Sequence, residues 1–200
     1  AEPTKTRLSS LARTPLRRAA LSSSTRCSAS RTGSGAEGLL VEYALAMRED
    51  GRSLDETEAQ IRATLPDAHL LLIPRTLENL VKNGRAPKLA GQLTQMLNIR
   101  LAVSPEWKSG EIKAIKKGRG AKRIVTNTMA DCLAFLAEYP GSSVRVLTTG
   151  AAEEQELVSQ ALAGQDYVDA GTGPIGCTIA THVGVDAIAI SYCPRYQPTH

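Results

Sequence analysis

Near the C-terminus, residues 173–184 read GPIGCTIATHVG and set one ionisable side chain, His182, among small and apolar neighbours. An imidazole in such company has two uses. It can be a core histidine satisfied by a carbonyl, or a donor or cation meeting an anionic head group. Thr181 stands beside it with a hydroxyl, and Gly176 and Gly184 leave room for a ligand to approach the backbone. Cys177 lies five residues before His182, so a Cys–His nucleophile pair is a third use, which spacing alone does not decide. Ile175, Ile179 and Val183 around the histidine read as a buried strand, over Cys177–Thr181, followed by a turn.

A second group lies in Lys108–Arg123, where Lys108, Lys113, Lys116, Lys117, Arg119, Lys122 and Arg123 face a single acid, Glu111. A solvated hairpin accounts for most of them. Arg119 differs because Gly118 and Gly120 flank it. A guanidinium held there can offer a two-toothed fork to a carboxylate or phosphate. Reading nucleic-acid bases would require stacked aromatics, and Trp107 is the only one nearby, so no nucleic-acid partner is expected. Gly84-Arg85 reads as a helix end with a basic residue behind it.

Other chemistries lack their residues. There is no G-x-G-x-x-G, G-x-x-x-x-G-K-[ST], H-E-x-x-H or G-x-S-x-G. With three histidines (His69, His182, His200), a histidine-based metal site is not expected. The four cysteines (Cys27, Cys132, Cys177, Cys193) form no C-x-x-C pair, which points to a reduced, cytoplasmic compartment. No apolar run is long enough for an integral membrane segment.

The net charge of +4 is unevenly placed. Residues 1–37 hold seven Lys/Arg and two Glu, so the remainder is close to neutral. The basic balance therefore belongs to that Ser/Arg-rich stretch. Its composition predicts a disordered tail, with a targeting segment or misread sequence as alternatives.

Order is expected from about Gly38. Leu39–Met47 predicts a short helix. Ser53 with Glu56 forms a capping box for a second, with Leu54, Ile61 and Leu65 on one face. His69–Ile73 is wholly apolar and predicts a strand covered on both sides. Thr76 can cap a helix to Asn83, and Leu89, Leu93, Met96 and Leu97 mark another. A hairpin follows, Asn98–Ser104 with Glu111–Gly118, then a helix over Ile124–Tyr139. Strand Val144–Thr148, helix Glu153–Ala163 and strands at Tyr167–Ala170 and Ala187–Tyr192 complete a mixed α/β chain without a regular βαβ repeat.

In this order the stretches resemble the DegV family of bacterial fatty-acid-binding proteins. The resemblance runs through Thr76-Leu77-Glu78, Leu80, Gly84-Arg85, Leu97-Asn98-Ile99, Gly110-Glu111-Ile112 and Arg119-Gly120. It closes with Ile175, Gly176, Ile179, Thr181, His182, Val183 and Gly184. The chain departs from the family pattern at Cys177 and Val185, where proline is usual, and at Ala180 and Asp186, where glycine is. Asn83 and Ala86 also alter the usual G-G-R-I turn.

The resemblance implies an α/β protein of two lobes, the EDD fold, that clasps one long-chain fatty acid without catalysis or cofactor. It implies that His182 and Arg119, with Thr181 beside them, meet the ligand's carboxylate, and that a fatty acid kinase is the partner. Hydroxyl-bearing loops of the first lobe have no counterpart in residues 1–37. The expected division is therefore a tail unrelated to the family or disordered (1–37), a remnant of the first lobe (38–75) and a C-terminal lobe (76–200). The alternatives are a protein-interaction module using the basic hairpin 108–123, and a family member too incomplete to bind.

Overall fold

Ser53 and Glu56 close the expected capping box, each satisfying the other's backbone N–H, and so start helix α2 (Leu54–Thr64). Before it, α1 (Ser34–Glu49) begins inside the stretch expected to be a tail, with Ala36 fully buried. In the computed structural model, residues 30–92 and 99–198 are described. The remaining elements are β1 (His69–Ile73), α3 (Glu78–Lys82), β2 (Ile99–Pro105), β3 (Ile112–Arg119), α4 (Gly120–Glu138) and β4 (Ser142–Thr148). After them come α5 (Ala152–Leu162), β5 (Tyr167–Pro174), α6 (Cys177–Val183) and β6 (Ile188–Cys193).

The strands form one mixed sheet in the order β3-β2-β1-β6-β4-β5, in which only β4 and β5 run parallel. β1, from the segment 38–75, lies between β2 and β6, so the sheet runs across the boundary expected at residue 75. β6, reading IAISYC, is buried at every position because it lies inside the sheet with layers on both faces.

One face packs under α4 and α5 through Leu71, Ile73, Ile124, Met129, Val158 and Ile190. The other carries α3 and α6 through Leu70, Leu72, Leu77, Leu80, Leu101, Ile175 and Val183. α1 seals a third cluster with Leu39, Leu40 and Cys193. Arg145 ties α1 to the sheet, donating to Glu42 at 2.5 Å and to the Ala170 carbonyl.

Two expectations fail. Cys177–Thr181 is helix, not strand: Ile175, Ile179 and Val183 recur every four residues, which is the spacing of one helical face. Gly176, extended, opens α6, and Gly184 closes it in the left-handed region at φ 78°. The helix expected over Leu89–Leu97 begins instead as a 3₁₀ turn, Pro87–Gln92. Leu93, Met96, Leu97 and Asn98 of that stretch and the next lie outside the described residues.

At the start of β1, His69 sits against the rings of Phe135 and Tyr192, with centroids 5.3 and 4.8 Å away. Burial pushes its imidazole below the ordinary value of 6.5, and Asp67 and Asp131 oppose this only partly. The unfolded chain therefore takes up this proton more readily than the folded one. Stability is full above pH 6.5 and falls as the pH drops through it. Urea midpoints at pH of about 7.5 and about 5.5 measure the drop, which a His69→Gln variant reduces.

Candidate functional site

α6 is short, and its C-terminal end is held by two neighbouring elements. The Asn83 amide, at the end of α3, donates to the Thr181 carbonyl at 3.1 Å. The Thr149 hydroxyl donates to the Gly184 carbonyl at 2.7 Å and accepts from the Ala187 N–H at 2.9 Å. His182 is half-buried, and its Nδ1 is buried without a hydrogen-bond partner among the described residues. A satisfied core histidine would have such a partner. Thr181, one helical step away, points to solvent and donates its hydroxyl back to the Thr178 carbonyl at 2.8 Å.

Arg119 ends β3, pairs with Ile99 and is exposed. In the same register Leu101 pairs with Lys117, so strand alternation places Arg119 on Leu101's face of the sheet. That is the face carrying α6, because Leu101, Ile112 and Ala114 share a cluster with Ile175, Ile179 and Val183. The three nominated residues thus border one layer. No hydrogen bond joins Arg119 to His182 among the described residues.

The basic hairpin is less free than its composition implies. Lys113 pairs with Glu106 at 2.7 Å, Lys116 with Asp131 at 2.8 Å, and Lys108 lies over the Trp107 ring. Cys177 is exposed and Cys132 and Cys193 are buried, the last two thiols pushed up to about 12 by burial. Among the described residues, no group of three or more His, Cys, Asp or Glu could hold a metal ion. Among them, too, no helix is long and apolar enough to cross a membrane.

A polar cavity of about 610 Å³, which no local sequence signal announces, lies at the ends of β1 and β2. Arg75, Thr76, Arg100, Gly120, Glu154 and Asp186 are among its lining residues, and His182, Thr181 and Arg119 are not. Arg100 Nη1 is ion-paired with Glu154, both side chains largely buried. Its Nε and Nη2 are buried with no acceptor among the described residues. Burial, then the Arg75 charge, hold its guanidinium below the ordinary range. Asp186 has a left-handed backbone, φ 54°, and its carboxylate lies 3.9 Å from Arg75. Nothing in the spacing of Arg100 and Glu154, fifty-four residues apart, signals this pair.

The model of the family described as "Uncharacterised protein, DegV family" matches residues 15–195. The chain belongs to the DegV family. The match starts within residues 1–37, so that stretch is not wholly unrelated to the family. The DegV domain-containing protein YteA of Lactococcus lactis is 31% identical over 158 residues, 77% of this chain and 53% of that protein. The structure of a DegV family protein from Thermus thermophilus, titled for its fatty acid binding, superposes with a TM-score of 0.74 at 23% identity. That likeness covers 84% of this chain and 60% of the other. The Streptococcus pneumoniae fatty acid kinase (Fak) B3 protein, loaded with linoleic acid, gives a TM-score of 0.67 at 25% identity, over 78% of this chain and 54% of that one. The chain spans about half the length of the curated DegV relatives it matches.

Proposed function

We propose that this DegV chain binds one long-chain fatty acid without catalysis, with His182 and Arg119 meeting the carboxylate. The observation that carries the reading is the unpartnered Nδ1 of half-buried His182, on a helix whose inner face borders an apolar cluster. A carboxylate brought there supplies the missing partner, and its own desolvation is offset by donors. The acyl chain lies along the α3–α6 face of the sheet. Thr181, exposed beside His182 with its hydroxyl on the Thr178 carbonyl, turns that hydroxyl to the carboxylate when the ligand binds. The segment 38–75 carries the end of a first lobe, and the DegV relatives with bound fatty acids support the ligand class. Presentation of the bound acid to a fatty acid kinase is the partner role this reading assigns.

His182→Ala is expected to weaken binding of a fluorescent long-chain fatty acid by about 1–3 kcal/mol, the scale of a lost charge-assisted hydrogen bond. Titration of the two proteins side by side measures it. An unchanged affinity removes His182 from the site.

A further inference from the structure

The chain enters α1 through Ser30–Ser34, a strap that joins two elements far apart in sequence. At its start the Arg31 guanidinium donates to the Lys108 carbonyl, in the turn of the β2–β3 hairpin. The Arg31 Cβ also packs over Gly110, 3.6 Å from where a Cβ there would stand. Two residues on, Gly33 lies against α6, an added Cβ being 3.8 Å from Cδ1 of Ile179. Gly35 then seats on Ser191 and Arg145 of the sheet, and Ala36 enters the apolar cluster of Ile175 and Val183. Ile112 of the hairpin and Ile179 of α6, near the two ends of the strap, are left only partly buried by that cluster.

The strap is held down at a cost. Arg31 and Ser34 have left-handed backbones, φ 53° and 54°, a region that residues other than glycine seldom adopt. The Thr32 and Ser34 hydroxyls are buried with no partner among the described residues, which is unfavourable in itself. Arg31 is exposed, so its hold on the hairpin is open to water. A strained, under-satisfied segment fastened by an exposed side chain opens locally before the sheet does.

We propose that Ser30–Ser34 is a gate on the acyl layer. Clasped to the Lys108 carbonyl, it closes the space between the hairpin and α6; released, it lets the fatty acid in or out. The gate rests on the acyl reading given above. It contains neither His182 nor Arg119, so its opening sets rates and not affinity.

Two measurements on the full chain test it. The first uses a Cys27→Ser, Cys177→Ser background, the remaining Cys132 and Cys193 being buried. Thr32→Cys puts a thiol where the hydroxyl is buried, and its reaction with a thiol-directed dye reports opening of the strap without any lipid. Adding Arg31→Ala is expected to speed that reaction roughly three- to tenfold, the scale of one hydrogen bond to a charged group. The second is stopped-flow mixing with a fluorescent long-chain fatty acid, with Thr32 intact. Arg31→Ala is expected to take up and release the ligand faster by a similar factor, with Kd within about twofold of the parent. An unchanged labelling rate overturns the clasp, and unchanged uptake and release overturn the gate. A parent chain that takes up no fatty acid removes the acyl reading and the gate together, whereas uptake at rates that Arg31→Ala leaves alone removes the gate only.

Discussion

Glu154→Ala is expected to destabilise the fold by about 3–5 kcal/mol, the cost of leaving one charge of a buried pair uncompensated. The side chains of Arg100 and Glu154 are only 14% and 8% exposed. The pair joins β2 to the first turn of α5, two elements with a whole helix, α4, and two strands between them in sequence. Once Glu154 is removed, Arg100 has no hydrogen-bond acceptor left among the described residues. Its guanidinium cannot shed the charge by deprotonating at neutral pH. The companion variant Arg100→Met with Glu154→Leu removes both charges and is expected to lose much less, because similar apolar volume replaces a desolvated pair. Denaturant midpoints followed by circular dichroism, with an unchanged slope, separate the two cases. A Glu154→Ala loss within about 0.5 kcal/mol, the range of an ordinary surface change, would mean that water reaches the pair.

Gly118→Ala is expected to cost about 3 kcal/mol, at the upper end for overpacking. A Cβ at this position would lie 2.5 Å from the Ile124 amide nitrogen and 2.7 Å from its Cα. Those are backbone atoms of α4 just past its first turn, so no side chain can swing aside. β3 approaches α4 at this point because the chain passes from strand to helix over Arg119 and Gly120. The same substitution is expected to weaken fatty-acid binding, since Arg119 is the next residue and must shift with the helix start. Gly91→Ala, where an added Cβ meets nothing within 4 Å, is the control and should leave the melting temperature unchanged. For a chain of this length, each kcal/mol corresponds to roughly 2–4 °C in Tm.

The fold was legible where one local signal was enough. His69–Ile73 is a strand with the expected bounds because the four apolar residues between His69 and Pro74 can be buried on both faces. The Ser53–Glu56 box set the start of α2 because capping is a contact across three residues. The apolar character of Cys177–Thr181 suggests a strand, whereas the four-residue recurrence of Ile175, Ile179 and Val183 is that of one helical face. Gly173 and Pro174, which end β5, and Gly176, which opens the helix, broke the run into two elements.

The site was legible only in part, for a physical reason. His182 and Arg119 stand in recognisable local company, so their nomination needed only short stretches of sequence. Arg100 on β2 and Glu154 on α5, the helix that follows β4, come from strands three positions apart in the sheet, and no short window of sequence holds their meeting. Likewise, the positions of Asn83 and Thr149 on α6 depend on α3 and the end of β4 converging there. In the basic hairpin, where the charge run predicts mostly solvated lysines, Glu106 and Asp131 take up two of them.

Native mass spectrometry of the purified chain, followed by denaturing extraction and lipid analysis, tests the proposed fatty-acid binding most directly. A population heavier by one long-chain fatty acid is expected, released on denaturation and diminished in His182→Ala and Arg119→Ala. A bare chain that stays bare after incubation with oleic acid would contradict it, as would a fatty acid retained equally by both variants.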